Sequence, residues 1–194
     1  NVLKFADPKV KLGLYEKLLS KIDTSSANEQ IGELYHRIGK VNIMLEKYEE
    51  AIHFTKKAIS VKSVTASISS INDSKYNLYY IYDELKDISE SERILKEIIK
   101  ENGGGKNALF AYQELANVAR RRNDFYSALE FLNRALADRI LSQQKETEIK
   151  IKLQIIITYA AMYQSIGVTQ IDGKSLDIVK QHLKVIEECF LDQP

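Results

Sequence analysis

The stretch YHRIGKVNIMLEKYEEAIHFTKKA, residues 35–58, has a close counterpart further along the chain in YQELANVARRRNDFYSALEFLNRA, residues 112–135. Both stretches begin with an aromatic residue and carry a second aromatic residue and three small residues at the same offsets. The matching pairs are Tyr35 and Tyr112, Gly39 and Ala116, Tyr48 and Phe125, Ala51 and Ala128, and Ala58 and Ala135. Small residues let two helices approach closely and aromatic rings fill the space beside them, so the pattern predicts a repeated pair of packed helices.

Residues that break helices are rare in this chain. It has 194 residues but only two prolines, Pro8 and Pro194, and eight glycines, three of which lie together at 103–105. Between these breaks apolar residues recur at steps of three and four, the period of an α-helix. The spacing therefore predicts an all-α fold of about nine helices, one leading helix followed by four pairs.

The leading helix is predicted to begin at Pro8 with Asp7 as its N-cap, because proline is favoured at the first helical position. Its apolar residues are expected to form one buried stripe, made of Leu14, Tyr15, Leu18, Leu19 and Ile22. The stripe needs cover, so we predict that this helix packs on residues 30–45 as the second half of an incomplete repeat. The chain opens on Asn1 rather than methionine, so we expect that it was cut from a longer one.

Two further helix starts are predicted from short-range signals. Ser26 with Glu29, and Ser89 with Glu92, have the spacing of a capping box at a helix start. Apolar residues at steps of three, four and seven predict that one helix runs through the serine-rich stretch 63–74. Because serine is a poor helix former, tertiary packing has to hold that segment.

The repeated pair resembles the tetratricopeptide repeat, a helix–turn–helix unit of about 34 residues. The resemblance covers residues 30–191 and implies a right-handed superhelical solenoid of antiparallel helix pairs. It divides the chain into a leading segment, 1–25, and an array, 26–194. The repeats are predicted near 30–62, 63–102, 107–141 and 146–191, all of a lengthened type.

No catalytic, metal or cofactor site is predicted from the sequence. His36, His53 and His182 are scattered and Cys189 is the single cysteine, so the ligand spacing of a metal site is absent. Residues 103–106 read GGGK, but they lack the hydroxyl residue and the preceding strand of a phosphate loop. We therefore expect a protein that is not an enzyme.

Charge and cysteine content restrict the expected partners and compartment. The chain has 28 basic and 27 acidic residues, and its net charge of +1 predicts no direct nucleic-acid contact. No apolar run approaches the roughly 18 residues that would span a membrane. A single cysteine allows no internal disulfide, which favours a reducing, cytoplasmic location. Whether the chain forms a homodimer is left open.

In tetratricopeptide arrays the first helix of each pair lines a groove that binds peptides or protein segments. The resemblance therefore implies a non-catalytic module that binds a protein or peptide segment through these helices. In the fourth repeat the implied groove positions include Ala161, Gln164 and Ser165. We predict that the main ligand contacts come from Tyr76, Tyr80, Asp83, Gln113, Asn117, Arg120 and Arg121.

Two functions remain open at this point. The first is a scaffold module that docks a protein partner. The second is the peptide-sensing regulatory domain of a bacterial transcriptional regulator whose DNA-binding head lies outside this chain. A composition rich in lysine, isoleucine and asparagine, as in AT-rich genomes, favours the second. The upstream sequence distinguishes them, because a helix-turn-helix indicates the regulator, whereas a kinase, secretion or chaperone domain indicates the scaffold.

Overall fold

The computed structural model describes residues 7–102, 105–138, 144–165, 167 and 172–191; the side chains of residue 102 and of 186–191, including Cys189, lie outside this description. Over these ranges the chain forms nine α-helices and no β-strand. The helices are α1 (Pro8–Leu19), α2 (Glu29–Met44), α3 (Tyr48–Thr65), α4 (Ile68–Glu84), α5 (Ile88–Asn102), α6 (Gly105–Arg121), α7 (Phe125–Leu136), α8 (Lys145–Ser165) and α9 (Gly173–Leu191). The predicted all-α class is confirmed.

The chain divides into two compact units. The first unit comprises Asn1–Glu101 and the second Asn102–Pro194. In the first unit α2 packs against α1 and α3, and α3 packs against α4. In the second unit each helix from α6 to α9 packs against the next one along the chain. In both units, therefore, helices that follow one another along the chain pack side by side.

The turns inside three of the helix pairs have the same backbone geometry. After the first helix of each pair comes one residue with a positive φ, which is 57° at Glu46, 61° at Lys86 and 59° at Asn123. The amide of the following residue then donates to a carbonyl five positions earlier, at 2.9 Å in all three turns. This is the Schellman ending of a helix. The repeat therefore includes the backbone conformation of the turns as well as the side-chain pattern.

Helix α1 packs on α2, but through a face that differs in part from the predicted one. The residues that join the two helices are Leu12, Tyr15, Leu19, Ile22, Leu34, Ile38 and Val41. Leu14 and Leu18, which were expected in the buried stripe, are 48% and 49% exposed. Leu12 and Leu19 lie seven positions apart and so share a face, whereas Leu14 is only two positions from Leu12 and points away. The predicted stripe is wrong at Leu14 and Leu18.

Gly39 and Ala51 lie where α2 and α3 come close together. A Cβ atom added at Gly39 would be 2.5 Å from Thr55 Oγ1 and 3.5 Å from the Ala51 carbonyl oxygen. Ala51 itself is fully buried. The small residues of the first repeated stretch therefore permit a close helix–helix contact, as the pattern predicts.

The counterpart stretch in the second unit forms the centre of that unit's core. Its small residues Ala116, Ala128 and Ala135 all belong to one buried cluster contributed by α6, α7 and α8. The other buried members are Leu109, Ala119, Leu129, Leu132, Ile151 and Ile155. The same offsets therefore place small residues in the core of both units.

Lys62, near the end of α3, is a charged residue that the apolar pattern does not predict to be buried. Its side chain is only 1% exposed, and its Nζ lies 3.3 Å from Glu33 Oε2. The same Nζ donates to the Ser70 carbonyl oxygen at 3.2 Å. A Cβ atom added at Gly32 would lie 2.9 Å from Lys62 Cγ, so the glycine makes room for the lysine stem. Because a buried ammonium needs partners, this contact fixes α2, α3 and the start of α4 together.

Both predicted capping boxes are wrong, because in each case the residue directly before the helix forms the cap, whereas Ser26 lies upstream of it and Ser89 lies inside the helix. At the start of α2 the Asn28 side chain accepts a hydrogen bond from the amide of Ile31 at 2.9 Å, and Ser26 lies further upstream. At α5 the Asp87 side chain accepts from the Glu90 amide at 3.2 Å. Asparagine and aspartate are at least as good N-caps as serine.

The prediction that one helix runs through the serine-rich stretch 63–74 is wrong. Helix α3 ends at Thr65, Ala66 is extended, and α4 begins at Ile68. The Ser67 side chain accepts a hydrogen bond from the Ser70 amide at 3.3 Å. Serine side chains compete for backbone amides and so favour caps over helix interiors, which explains the break.

Candidate functional site

A cavity of about 610 Å³ lies in the second unit between α6 and α8, the first helices of two successive pairs. Helix α6 and helix α8 form its two walls, and the turn between α6 and α7 closes one end. Most of the side chains around it are polar. The lining residues are Glu114, Asn117, Arg120, Arg121, Asn123, Phe125, Ala161, Gln164 and Ser165.

A row of polar side chains along α6 forms one wall of this cavity. Arg120 Nη2 donates to Asn117 Oδ1 at 2.6 Å, and Asn117 Nδ2 donates to Glu114 Oε2 at 3.4 Å. Residues three positions apart lie on the same side of a helix, which is why these groups meet. The two bonds hold the Asn117 amide and the Arg120 guanidinium in a defined orientation at the cavity wall.

The charges around the cavity favour a negatively charged ligand. Two arginines, Arg120 and Arg121, line it together with one carboxylate, that of Glu114. A guanidinium presents forked donors that match the two oxygens of a carboxylate. In the adjoining turn, hydrogen bonds from Ser127 lower the pKa of Asp124, which therefore stays ionised as the N-cap of α7. The arrangement is suited to binding and orienting a carboxylate.

The structure brings three of the predicted site residues to this cavity. Asn117, Arg120 and Arg121 line it together with Ala161, Gln164 and Ser165, the fourth-repeat groove positions that the resemblance implied. Gln113 lies one turn earlier on α6, where its Nε2 donates to the Leu109 carbonyl oxygen at 3.4 Å. That these residues bind a ligand stays a prediction.

The other predicted residues, Tyr76, Tyr80 and Asp83, lie on α4 in the first unit. Tyr80 is exposed, and the neighbouring Glu84 carboxylate raises the pKa of its phenol above the usual value. Tyr76 and Asp83 are half-buried. Their part in ligand binding likewise stays a prediction.

Three cavity residues, Glu114, Asn123 and Phe125, were absent from the predicted site. Phe125 was expected only as one of the aromatic residues that fill the space beside the paired helices. Glu114 is three positions before Asn117, so helical spacing from the predicted residues is a signal that finds it. Asn123 is different, because it reaches the cavity through the left-handed conformation of its turn, with φ of 59°. Asparagine tolerates that conformation, which is the one local signal for its position.

His36, one of the three scattered histidines, contacts the neighbouring helix pair. It lies on α2 and is half-buried, with Nδ1 at 3.0 Å from Ser74 Oγ and 3.4 Å from Asn77 Nδ2, both on α4. Burial lowers the pKa of His36, and the positive charge of Lys62 lowers it further. Glu33 and Asp73 act in the opposite direction without reversing the shift. The imidazole therefore favours its neutral form in the folded chain.

We expect His36 to make the first unit less stable in mild acid. A histidine whose pKa is lowered by folding stabilises the fold fully above its unfolded pKa of about 6.5, and that stability is lost as the pH falls below this value. Urea unfolding at neutral and at mildly acidic pH measures the effect. The loss on acidification should be smaller in His36→Gln than in the wild type. Equal losses in the two proteins would show that His36 does not contribute.

The repeated helix pair defines the structural class of this protein. Pairs of helices with matched small residues and matched Schellman turns make it an all-α helical-repeat protein. Residues 32–65 match the family model of the tetratricopeptide repeat. The predicted resemblance to this repeat is confirmed over these residues.

Solved structures and one curated protein are also similar to this chain. Kinesin light chain TPR-like repeats of Podosopora anserina superpose with a TM-score of 0.67 at 13% identity, covering 95% of this chain and 89% of that one. MamA gives a TM-score of 0.62 at 16% identity over 92% and 88% of the two chains. Identities this low establish the fold alone. The RNA polymerase-associated protein CTR9 of Caenorhabditis elegans is 23% identical in an alignment of 150 residues that covers 70% of this chain but only 13% of that protein.

Two further properties concern only the residues with a described structure. Among them no helix combines the length and the apolar character needed to cross a bilayer. Within the same residues, no three histidine, cysteine, aspartate or glutamate side chains are grouped so that they could hold a metal ion.

Proposed function

We propose that this chain is a non-catalytic protein-docking module that binds an acidic peptide segment in the cavity between α6 and α8. Proteins of the tetratricopeptide repeat superfamily are typically scaffolds, which supports the docking role. The observation that carries the proposal is the polar lining of the cavity, where Asn117, Arg120 and Arg121 lie side by side. We also propose that the partner is a protein or peptide segment and that the chain acts in the cytoplasm.

The cavity residues supply complementary contacts for an extended peptide. The Asn117 amide both donates and accepts hydrogen bonds, so it can bond a peptide group at its N–H and its C=O. Arg121 is exposed at the end of α6 and can meet an acidic side chain or a terminal carboxylate. Gln164 and Ser165 on α8 add uncharged polar groups opposite the arginines. These groups would bind the peptide and orient it without taking part in a reaction.

We predict that changing a cavity anchor weakens peptide binding by about tenfold to thirtyfold, since one lost anchor costs about 1–2 kcal/mol. Peptides are first selected from a displayed random library on the wild-type chain. Their dissociation constants are then measured by fluorescence anisotropy for the wild type, Asn117→Ala and Arg121→Glu. Peptides rich in aspartate and glutamate should be selected, and both variants should bind them more weakly.

The matched control for this measurement is Arg134→Glu. It reverses an exposed arginine on α7 that pairs with Glu130 and does not line the cavity. Binding should be nearly unchanged in this variant. If Arg134→Glu weakens binding as much as Arg121→Glu, the effect is one of net charge and the assignment of the cavity is wrong.

The peptide-sensing regulatory domain is kept as the second candidate function. It uses the same cavity in the same way, but its ligand alters the activity of a DNA-binding domain elsewhere in the protein. The composition of the chain favours this candidate, whereas the likeness to TPR-like scaffolds favours the first. Expressing the full-length protein and measuring DNA binding with and without a selected peptide distinguishes the two.

A further inference from the structure

The faces of α6 and α8 that line the cavity of the second unit carry exposed apolar residues nearer the starts of both helices. Phe110 on α6 is 44% exposed, and Leu153 and Ile157 on α8 are both 47% exposed; these three residues are called the apolar strip below. Phe110 lies seven positions before Asn117, so the two side chains are offset by only roughly 20° around α6. Ile157 lies four positions before Ala161, an offset of roughly 40° around α8. The apolar strip therefore continues the faces on which the cavity residues lie.

Helix α8 is apolar on two sides, and the second unit buries only one of them. Ile151 and Ile155 belong to the buried core cluster of this unit. Leu153 and Ile157 each lie two positions from Ile155, which turns them roughly 160° away from it. A surface helix of a globular protein is normally polar on the side opposite its core. A group of exposed apolar residues on that side indicates a binding surface.

Exposed apolar residues of the second unit are concentrated on these two faces. In the part of this unit that the structure describes, the large apolar side chains exposed to solvent are Phe110, Tyr126, Leu153, Ile157 and Leu183. Three of these five form the apolar strip, whereas Tyr126 lies on α7 and Leu183 on α9. The strip is therefore a grouped surface beside the cavity rather than a set of scattered residues.

The apolar strip and the cavity offer different contacts to a ligand. Lys152, beside Leu153, pairs with Glu148 at 2.6 Å. Lys150 pairs with Glu146 at the same distance of 2.6 Å. Because these charges compensate each other, the contact that α8 offers at the strip is apolar. At the cavity end, in contrast, the two arginines of α6 favour a carboxylate.

The distance between the two ends sets the spacing that a ligand needs. Ile157 lies seven positions before Gln164, which corresponds to roughly 10 Å along α8. Phe110 lies ten positions before Arg120, which corresponds to roughly 15 Å along α6. Since an extended peptide advances roughly 3.3 Å per residue, roughly three to five residues separate a carboxylate held by the arginines from a side chain on the strip.

We propose that this groove recognises two features of its ligand: a carboxylate at the arginines and a bulky apolar side chain, roughly three to five residues away, on the apolar strip. The inference rests on the function proposed above, which assigns the carboxylate to the arginines. It adds an apolar anchor and a fixed spacing, so that acidic segments without the anchor bind more weakly. The carboxylate is that of an acidic side chain or of a chain end, because a guanidinium binds both in the same way.

The probe is an acidic peptide selected on the wild-type chain, in which every apolar residue is replaced by serine. Its anchoring carboxylate is located by single replacements with asparagine or glutamine, and amidation shows whether it is the chain end. One leucine is then placed at each position in turn, and dissociation constants are measured by fluorescence anisotropy. Leucine roughly three to five positions from the anchor should tighten binding about tenfold, as expected for burial of one apolar side chain. Leucine beside the anchor should give no gain.

Variants of the chain show whether the apolar strip supplies this gain. Leu153→Ser and Ile157→Ser should each remove most of it, whereas the peptide without leucine should bind these variants as it binds the wild type. The matched control is Leu183→Ser, which removes the same kind of side chain at 41% exposure on α9. The gain from leucine should be unchanged in this control.

The outcomes separate this inference from the function on which it rests. If no acidic peptide is selected, or if Arg121→Glu weakens none of them, both are overturned. If Arg121→Glu weakens binding but leucine gives no gain, or a gain that survives Leu153→Ser and Ile157→Ser, the inference alone is overturned. Self-association or binding to phospholipid vesicles that Ile157→Ser abolishes would contradict it as well, because a second copy or a membrane would then cover the strip.

Discussion

Replacing Ala51 or Ala128 with leucine is expected to lower the free energy of unfolding by about 3 kcal/mol, because overpacking a filled core costs about 1–3 kcal/mol and occasionally more. Both alanines are fully buried, Ala51 close to Gly39 of the facing helix and Ala128 inside the core cluster of the second unit. Each substitution adds three carbon atoms where two helices touch. Urea unfolding followed by circular dichroism measures the loss.

Ala137→Leu is the control for both substitutions. Ala137 is the exposed C-cap residue of α7, so a larger side chain there meets solvent. The free energy of unfolding of the Ala137→Leu variant should differ from that of the wild type by less than about 0.5 kcal/mol, as for most surface substitutions. Equal stability of the three variants would show that the alignment of the two repeated stretches is wrong.

The second large effect is expected for Gly39→Ala, which should lower the free energy of unfolding by about 2 kcal/mol, as for other overpacked cores. Alanine normally stabilises a helix interior by about 1 kcal/mol over glycine, so the sign itself is informative. Here the new Cβ atom would lie 2.5 Å from Thr55 Oγ1, and the stiff threonine side chain cannot move away freely. Thermal and urea unfolding of Gly39→Ala give the magnitude.

Thr55→Ala in the Gly39→Ala background should restore most of the lost stability. The threonine hydroxyl is buried and has no hydrogen-bond partner among the described residues, so its removal breaks no such bond. The two single variants and the double variant form a cycle whose coupling energy reports the contact directly. If Gly39→Ala proves as stable as the wild type, α2 and α3 do not approach at this point.

The helix pairs were predictable because their pattern arises from contacts between neighbouring elements. Gly39 and Ala51 are small since a facing helix occupies the space that larger side chains would need, and this requirement appears directly in the sequence. The capping residues were less predictable, because Ser26 and Asn28 both suit the start of α2 and only the packed helix selects between them. Local signals of similar strength cannot settle such a boundary.

The orientation of α1 shows a different limit of the sequence pattern. Apolar residues occur on two faces of this helix, one containing Leu12 and Leu19 and the other Leu14 and Leu18. Helical periodicity alone does not say which face meets α2. The pattern therefore predicted the helix and its packing partner but assigned two leucines to the wrong side.

The candidate site was predictable where it follows the repeat register and not where it depends on tertiary contacts. The register pointed to Asn117, Arg120 and Arg121, and all three line one cavity. In contrast, the contact of His36 with Ser74 joins residues 38 positions apart and requires the packing of α2 near α4. The pKa of His36 is lowered mainly because this packing buries the imidazole, and the sequence alone does not show that burial.

The proposed docking role of the second unit is tested most directly by locating a bound peptide with nuclear magnetic resonance. A selected acidic peptide is titrated into the isotope-labelled chain, and the side-chain signals of Asn117, Arg120, Arg121 and Gln164 are followed. We predict that these signals shift together and saturate at one dissociation constant, while those of Arg134 and Lys150, exposed outside the cavity, stay in place. Shifts confined to α7 and α9, with the cavity signals unchanged, would contradict the account.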